Sequence, residues 1–281
     1  FSKKLARRLL LPMKNRYRND AKIETMNRLQ QLFQHKKKDI LSIYYTAGYP
    51  NLPDTLKIAE ALEKSGADFL EIGFPYSDPV ADGPIIQASS KQSLDQGMTL
   101  QVLFDQLKDL RKTITIPILL MGYVNPVLQY GVDNFCKACK EVGVDGCIIP
   151  DLPMYEYEEM YRSCFEENGI SNIFLVTPQT SEERIRKIDG LSNAFIYLLS
   201  SAATTGKNLD VSTAARTYFA RIQAMNLNNP LMIGFGISDK QTFDSANEYA
   251  SGAIIGSAFV KALSAEGEIV ENVSAFMKQF R

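Results

Sequence analysis

The sequence predicts an α/β fold in which eight parallel strands alternate with helices and close into a (β/α)8 barrel. Three observations support this prediction: eight apolar runs of strand length, amphipathic helical segments between them, and a length of 281 residues, which suits one such barrel. Runs that are apolar throughout are typical of parallel strands covered on both faces. An open doubly wound sheet, with about five to seven strands, fits eight units less well.

The eight apolar runs follow an extra N-terminal helix, which is predicted from the pattern that starts at Met26. They are Ile40–Thr46, Ala67–Gly73, Ile116–Gly122, Val144–Pro150, Asn172–Thr177, Ala194–Ser200, Pro230–Gly236 and Ser251–Ser257. Helical patterns separate them; one has Asp54 as a candidate cap and Gly66 as a stop signal, and another ends at Gly143. Two connections stand out as long loops, from position 74 to about 97 and from 201 to about 209. Both would leave the C-terminal face of the barrel, where such folds carry their chemistry.

Residues 1–25 differ in charge from the rest of the chain. They carry eight Lys or Arg and two Asp or Glu, whereas the remainder carries 23 basic and 30 acidic residues. The apolar run Leu9–Met13 is too short for the core of a signal peptide, and no small-residue cleavage site follows it. We therefore expect residues 1–25 to be an appended leader, disordered or non-native, outside a catalytic barrel domain at 26–281. A targeting segment and a nucleic-acid-binding arm are the alternatives.

Composition excludes several classes of function. The net charge of −1 gives no general attraction to nucleic acid, and no apolar run approaches the roughly 20 residues of a membrane span. The cysteines Cys136, Cys139, Cys147 and Cys164 include no second metal-binding pair, so we expect small buried side chains in a reducing cytoplasm. The single histidine, His35, excludes His₂ and His₃ metal sites. Carboxylates and tyrosines must therefore handle protons in any reaction, and no metal is expected.

The stretch LEIGFPYSDPVADGP at positions 70–84 concentrates acidic residues where a strand enters a loop. Glu71 lies near the end of the strand, and partial burial there would raise its pKa into the range of a general acid or base. A carboxylate salt-bridged at the barrel rim is the alternative. Asp78 and Asp82 follow in the loop, where each could instead be a turn residue.

Glycines after the last strands indicate a phosphate site. Gly236 follows the seventh strand, Gly256 and Ser257 follow the eighth and open a helix, and Gly206 lies in the loop after the sixth. Glycines let backbone N–H groups approach an anion, and a helix N-terminus favours negative charge. The loops after strands seven and eight are the recurrent phosphate position of this architecture. We therefore expect a phosphorylated substrate.

These segments together resemble the tryptophan synthase alpha subunit family. The likeness rests on LEIGFPYSDPVADGPIIQ, supported by YYTAGYP, MGYVNP, PDLP, YLLSSAATTG, GFGIS and GSAFVKAL, and it runs from about Met26 to the C-terminus. It implies retro-aldol cleavage of indole-3-glycerol phosphate to indole and glyceraldehyde 3-phosphate in cytoplasmic tryptophan biosynthesis. Glu71 would be the acid/base, and Asp82 would stabilise positive charge at the indole nitrogen. The implied substrate-binding residues are Tyr44, Tyr123, Ile149, Tyr197 and Thr205, and those for phosphate are Gly206, Gly236, Gly256 and Ser257.

The resemblance also implies a partner. The alpha subunit would pass indole to a beta subunit in an α2β2 tetramer, with pyridoxal phosphate in the beta subunit and no cofactor in this chain. Pro75 and Asp78 become candidates for communication between the subunits.

The loop after strand six departs from the family pattern, because Ser201 and Ala203 replace an arginine and a glycine. This departure leaves open the alternative that the chain is a regulatory subunit, which activates a beta subunit and has little catalytic activity of its own. Another phosphosugar lyase or isomerase on this barrel is a further alternative.

Overall fold

The predicted barrel is confirmed. The computed structural model describes residues 26–199, 213–234 and 236–281, with the side chains of 213 and 214 left out. Eight strands pair in parallel, each with its neighbours in chain order, and β8 pairs with β1 to close the barrel. The strands are β1 Ile40–Thr46, β2 Phe69–Gly73, β3 Ile118–Met121, β4 Gly146–Ile148, β5 Ser171–Val176, β6 Ile196–Leu199, β7 Leu231–Gly234 and β8 Gly252–Ile255.

The first strand matches its predicted limits, and most of the others are one or two residues shorter at each end. The apolar runs continue beyond the paired segments because the residues that enter and leave the barrel are buried as well; Ala67 and Ile149 are both 5% exposed. Burial therefore predicted which segments form strands but overestimated where the pairing begins and ends.

Helices connect successive strands and cover the barrel. They are α1 Arg28–His35, α2 Thr55–Lys64, α3 Pro84–Asp95, α4 Leu100–Leu107, α5 Leu110–Thr113, α6 Val124–Tyr130, α7 Val132–Val142, α8 Met154–Glu156, α9 Arg162–Glu167, α10 Glu182–Leu191, α11 Thr213–Ala224, α12 Lys240–Asn247, α13 Ser257–Leu263 and α14 Ile269–Met277. A short 3₁₀ turn precedes α2, and one turn of π-helix lies between α8 and α9. The expectation of a loop to about position 97 was wrong, because α3 occupies half of that stretch. Pro84 takes the first turn of α3, where its missing N–H costs nothing.

The predicted N-terminal helix α1 closes the bottom of the barrel. A reciprocal capping box between Asn27 and Gln30 fixes its start. The amide of Asn27 also donates to backbone carbonyls just before β4 and β5, which ties the helix to the barrel. Phe33 packs against Phe69 and Phe195, with ring centroids 5.4–6.3 Å apart. Because these two partners lie at the starts of β2 and β6, the aromatic cluster fills the N-terminal end of the barrel.

Three of the four cysteines fulfil the expectation of burial. Cys136 and Cys139 on α7 and Cys147 on β4 are buried, Cys164 is half-buried, and all four are free thiols. His35 is the last residue of α1, at the opposite end of the barrel from the loops that follow the strands. In the described part of the chain, no helix has the length and apolar character to cross a membrane.

Candidate active site

Glu71 is the most deeply buried acid of the site. It lies in β2, in register with Tyr44 of β1, and is 0% exposed. One carboxylate oxygen, Oε1, accepts a hydrogen bond from the Ser42 hydroxyl at 3.4 Å. The other, Oε2, has no hydrogen-bond partner among the described residues. Burial raises the pKa of Glu71 from 4.5 to about 8, and the hydrogen bond from the Ser42 hydroxyl opposes that rise. At neutral pH this group is therefore mostly protonated and able to donate a proton.

Asp82 lies in the loop between β2 and α3, where a tyrosine from another loop holds it by a hydrogen bond. The Tyr123 hydroxyl donates to Oδ2 of Asp82 at 3.0 Å and accepts from the backbone N–H of Ala81, also at 3.0 Å. Burial raises the pKa of Asp82 from 3.8 to about 6, while the Tyr123 hydrogen bond opposes the rise. Asp82 is therefore mostly ionised at neutral pH. The two carboxyl groups consequently differ in charge, which is the division that acid–base chemistry requires.

Two buried tyrosines, one on β1 and one on β6, lie near the carboxyl groups. Tyr44 and Tyr197 are 8% and 3% exposed. Burial raises the pKa of both hydroxyls, and the nearby Glu71 and Asp82 raise it further. Both stay neutral under any ordinary condition, so they can shape the site and hydrogen-bond without carrying charge. A Cβ at Gly234 would overlap the Tyr197 side chain, so the absence of a side chain on β7 makes room for this ring.

One cavity joins these groups. Its volume is about 380 Å³, which falls within the range of small-molecule sites. Glu71, Tyr44 and Tyr197 line it from strands β2, β1 and β6, and Asp82 lines it from the loop after β2. The predicted phosphate residues Gly236, Gly256 and Ser257 line the same cavity. Gly236 has a φ of 78°, a conformation that favours glycine. Seven of the residues singled out in the sequence thus meet at the C-terminal face, and they come from five strands or the loops after them.

Tyr123 and Ile149 lie elsewhere. Tyr123 lines a smaller adjoining pocket with Tyr44 and Asp82. Ile149 lines neither space and packs instead in the cluster between the barrel and its helices. Ile148, one residue earlier, belongs to the cluster inside the barrel, because neighbouring strand residues face opposite sides. Ile149 is therefore not part of the cavity wall.

The remaining predicted residues lie at the rim or outside the described chain. Pro75 is half-buried and Asp78 exposed in the loop after β2, where the Ser77 hydroxyl donates to the Asp78 carboxylate at 2.5 Å. Thr205 and Gly206 lie outside the described residues, as do Ser201 and Ala203.

Several lining residues were missed by the sequence analysis. Most are apolar side chains that complete the walls, and one is a lysine: Ile85, Ile86, Met121, Ile237, Ile254, Phe276 and Lys261. Their apolar character resembles that of the core, so no local pattern marked them. Lys261 could have been found from its spacing: it follows Ser257 by four residues on a helix, which places both on one face.

The described residues contain no group of three or more His, Cys, Asp or Glu arranged to hold a metal ion. A closed barrel whose cavity holds two buried carboxyl groups, with pKa values raised to different extents, has the site of a barrel enzyme suited to acid–base chemistry.

Comparison with known proteins identifies the family. A family model described as tryptophan synthase alpha chain matches residues 29–280. The tryptophan synthase alpha chain of Flavobacterium psychrophilum is 57% identical over 254 residues, covering 90% of this chain and 99% of that protein. The one from Flavobacterium johnsoniae is 58% identical over 242 residues, 86% of this chain and 95% of its own length. The solved structure of tryptophan synthase subunit alpha from Legionella pneumophila superposes with a TM-score of 0.82 at 33% identity, covering 91% of this chain and 97% of that one. This chain belongs to the tryptophan synthase alpha chain family.

Proposed function

We propose that this chain cleaves indole-3-glycerol phosphate to indole and glyceraldehyde 3-phosphate, with Glu71 as acid and base and Asp82 as the partner of the indole nitrogen. The observation that carries the assignment of roles is the single cavity lined by both carboxyl groups and by the glycines of the phosphate loops. The reaction breaks the bond between indole C3 and the neighbouring side-chain carbon. It requires a proton on C3 and the loss of a proton from the hydroxyl on that side-chain carbon.

Glu71 can supply both proton transfers. With a pKa of about 8, it enters the reaction protonated and donates to indole C3. The resulting carboxylate then accepts the hydroxyl proton as the carbon–carbon bond breaks and the aldehyde forms. One proton is given and one is taken, so Glu71 returns to its starting state without a cofactor.

Asp82 stabilises the charge that this sequence creates. Protonation at C3 places positive charge on the indole nitrogen, and the N–H then becomes a stronger donor. An ionised carboxylate at hydrogen-bond distance favours that intermediate. Tyr123 holds Asp82 in place and, by donating to it, keeps it ionised.

The part of the cavity that the glycines line binds the phosphate. Backbone N–H groups at Gly236, Gly256 and Ser257, together with the Ser257 hydroxyl, suit an anion. Lys261 lines the same cavity and adds a positive charge. A helical side chain leans back toward the preceding turn, and in α13 that turn holds Ser257. Thr205 and Gly206 complete the substrate site in this proposal, on the resemblance alone.

The assembly is also part of the proposal. The chain works in the cytoplasm with a tryptophan synthase beta subunit, in an α2β2 tetramer whose pyridoxal phosphate belongs to the partner. The loop that carries Pro75 and Asp78 communicates with that partner. Its position next to Asp82 supports this role, because a movement of the loop would move a catalytic group. Residues 26–281 form the catalytic domain, and 1–25 are a leader outside it.

Indole release by the purified chain, alone and with a beta subunit, tests the reaction. Glu71→Gln and Asp82→Asn should each lower kcat by about 100-fold or more, the usual contribution of acid–base catalysis. Glu141→Gln is the matched control, since Glu141 is exposed on α7. Near-normal turnover by both active-site variants would refute the assigned roles.

The regulatory-subunit alternative makes the opposite prediction for the same assay. It expects activation of the beta subunit without indole release. The feature that suggested it, at positions 201 and 203, lies outside the described residues, whereas the assembled carboxyl groups favour catalysis.

A further inference from the structure

We propose that Ser42 is a positioning residue for this reaction: its hydroxyl holds Oε1 of Glu71, so that Oε2 is the oxygen presented to the substrate. This inference rests on the proposed function and assigns a role to a residue one layer below the cavity.

Ser42 lies inside the barrel. Along β1 its neighbours Leu41 and Ile43 belong to the outer cluster between strands and helices, so Ser42 faces inward, as Tyr44 does two residues later. Its register partners are Phe69 on β2 and Ile254 on β8, which are both apolar and buried. Interiors of such barrels are dominated by bulky branched residues. A serine that is 0% exposed in this layer therefore needs a hydrogen-bond partner for its hydroxyl.

The hydrogen-bond partner of Ser42 is Glu71. A buried hydroxyl that donates to nothing is unfavourable. Within the described chain, the recorded hydrogen bond of the Ser42 hydroxyl goes to Oε1 of Glu71, at 3.4 Å and between two groups that are both fully buried. The contact gives Oε1 a hydrogen-bond donor from the layer below. Oε2 is left buried with no partner on an acid that lines the cavity, which is the state expected of an oxygen kept for a ligand.

The surroundings make Ser42 the group most able to act on this carboxyl. The other titratable groups that line the cavity are Tyr44 from β1, Asp82 from the loop before α3, Tyr197 from β6 and Lys261 from α13. Asp82 is already engaged by Tyr123, whereas the Ser42 hydroxyl donates directly to the Glu71 carboxyl. Removal of the Ser42 hydroxyl should thus change the ionisation of Glu71 and its aim together, while leaving the phosphate and indole contacts in place.

Ser42→Ala tests this role against a simpler one. If the serine is present only because it is small, alanine serves equally well. If its hydroxyl holds the carboxyl, kcat at pH 7 falls about tenfold and KM stays within twofold, because orientation is lost and binding is not. The Glu71 pKa should also rise by about one unit, since a hydrogen bond to the charged form is removed. Ser42→Cys replaces the hydroxyl by a weaker donor of similar shape. Its kcat and its Glu71 pKa should lie between those of the wild type and Ser42→Ala.

The pKa is read without activity. The Glu71 carboxyl carbon is followed by ¹³C NMR in a glutamate-labelled full chain, and its signal is identified by its absence from Glu71→Gln. Ser171→Ala, on a buried serine of β5 that contacts Asn27, controls for the loss of any buried hydroxyl.

A rise in pKa together with the selective loss of kcat supports the role. An unchanged titration, or an unchanged kcat, overturns it. Absence of indole release by the wild-type chain would instead refute the proposed function, and the titration would still decide whether Ser42 holds the carboxyl.

Discussion

Burial of Glu71 should make the protein less stable as the pH rises, and Glu71→Gln should remove that dependence. In the unfolded chain the carboxyl ionises near 4.5, whereas in the folded chain it ionises near 8. Between these values the folded state holds a proton that the unfolded state has lost. The free energy of unfolding therefore falls as pH rises from about 4.5, and the loss levels off above about 8. At 1.36 kcal/mol for each unit between the two pKa values, the full effect is about 5 kcal/mol.

Urea unfolding at pH 5, 7 and 9 measures this effect directly. The wild type and Glu71→Gln should differ little at pH 5, because a protonated carboxyl and an amide are similar in size and uncharged. As the pH increases, the free energy of unfolding of the variant should exceed that of the wild type by a growing amount, which reaches about 5 kcal/mol at pH 9. Glu141→Gln, on the exposed face of α7, should show no such trend. Unfolding free energies of wild type and Glu71→Gln that keep a constant difference across this range would refute the reasoning.

Three other substitutions test separate parts of the structure. Tyr123→Phe removes the hydrogen-bond donor to Asp82, so the pKa of Asp82 should rise above about 6. The acidic limb of the pH profile of kcat/KM should then move to higher pH. A limb that does not move contradicts the role of this hydrogen bond. Lys261→Met should raise KM about tenfold for the phosphorylated substrate and leave kcat unchanged, whereas Lys278→Met, which alters an exposed lysine outside the cavity, should change neither. Asn27→Ala should lower the free energy of unfolding by about 1–2 kcal/mol in thermal or urea denaturation, because it removes the cap of α1 and its ties to the barrel. A melting temperature equal to that of the wild type would show that these bonds contribute nothing.

The barrel was predictable because burial on both faces leaves a continuous apolar run for every strand. Strand ends were less predictable, since residues such as Ala67 are buried without pairing. The helix at Pro84–Asp95 was missed because polar residues dominate it, and a proline at its start looked like a loop.

The site was predictable where its chemistry needs a distinctive residue. Glu71 stood out because a carboxylate inside an apolar strand is rare, and Gly236 because it follows a strand at a known phosphate position. Ile149, which the sequence analysis assigned to the pocket, packs between the barrel and its helices, and two isoleucines in succession give no sign of which one faces inward. Met121 and Ser42 were missed because only the register of neighbouring strands shows what they contact.

The two ends of the barrel depend on one another. Phe69 and Glu71 lie two residues apart on β2, so both point into the barrel: Phe69 joins the aromatic cluster under α1, and Glu71 lines the cavity. The high pKa of Glu71 comes from burial, which requires that water be excluded from below as well as from the sides. Phe33 of α1 fills that lower end by packing on Phe69 and Phe195. A helix with no reacting group is thus part of the reason that a carboxyl group one layer above it in the barrel can hold a proton at neutral pH.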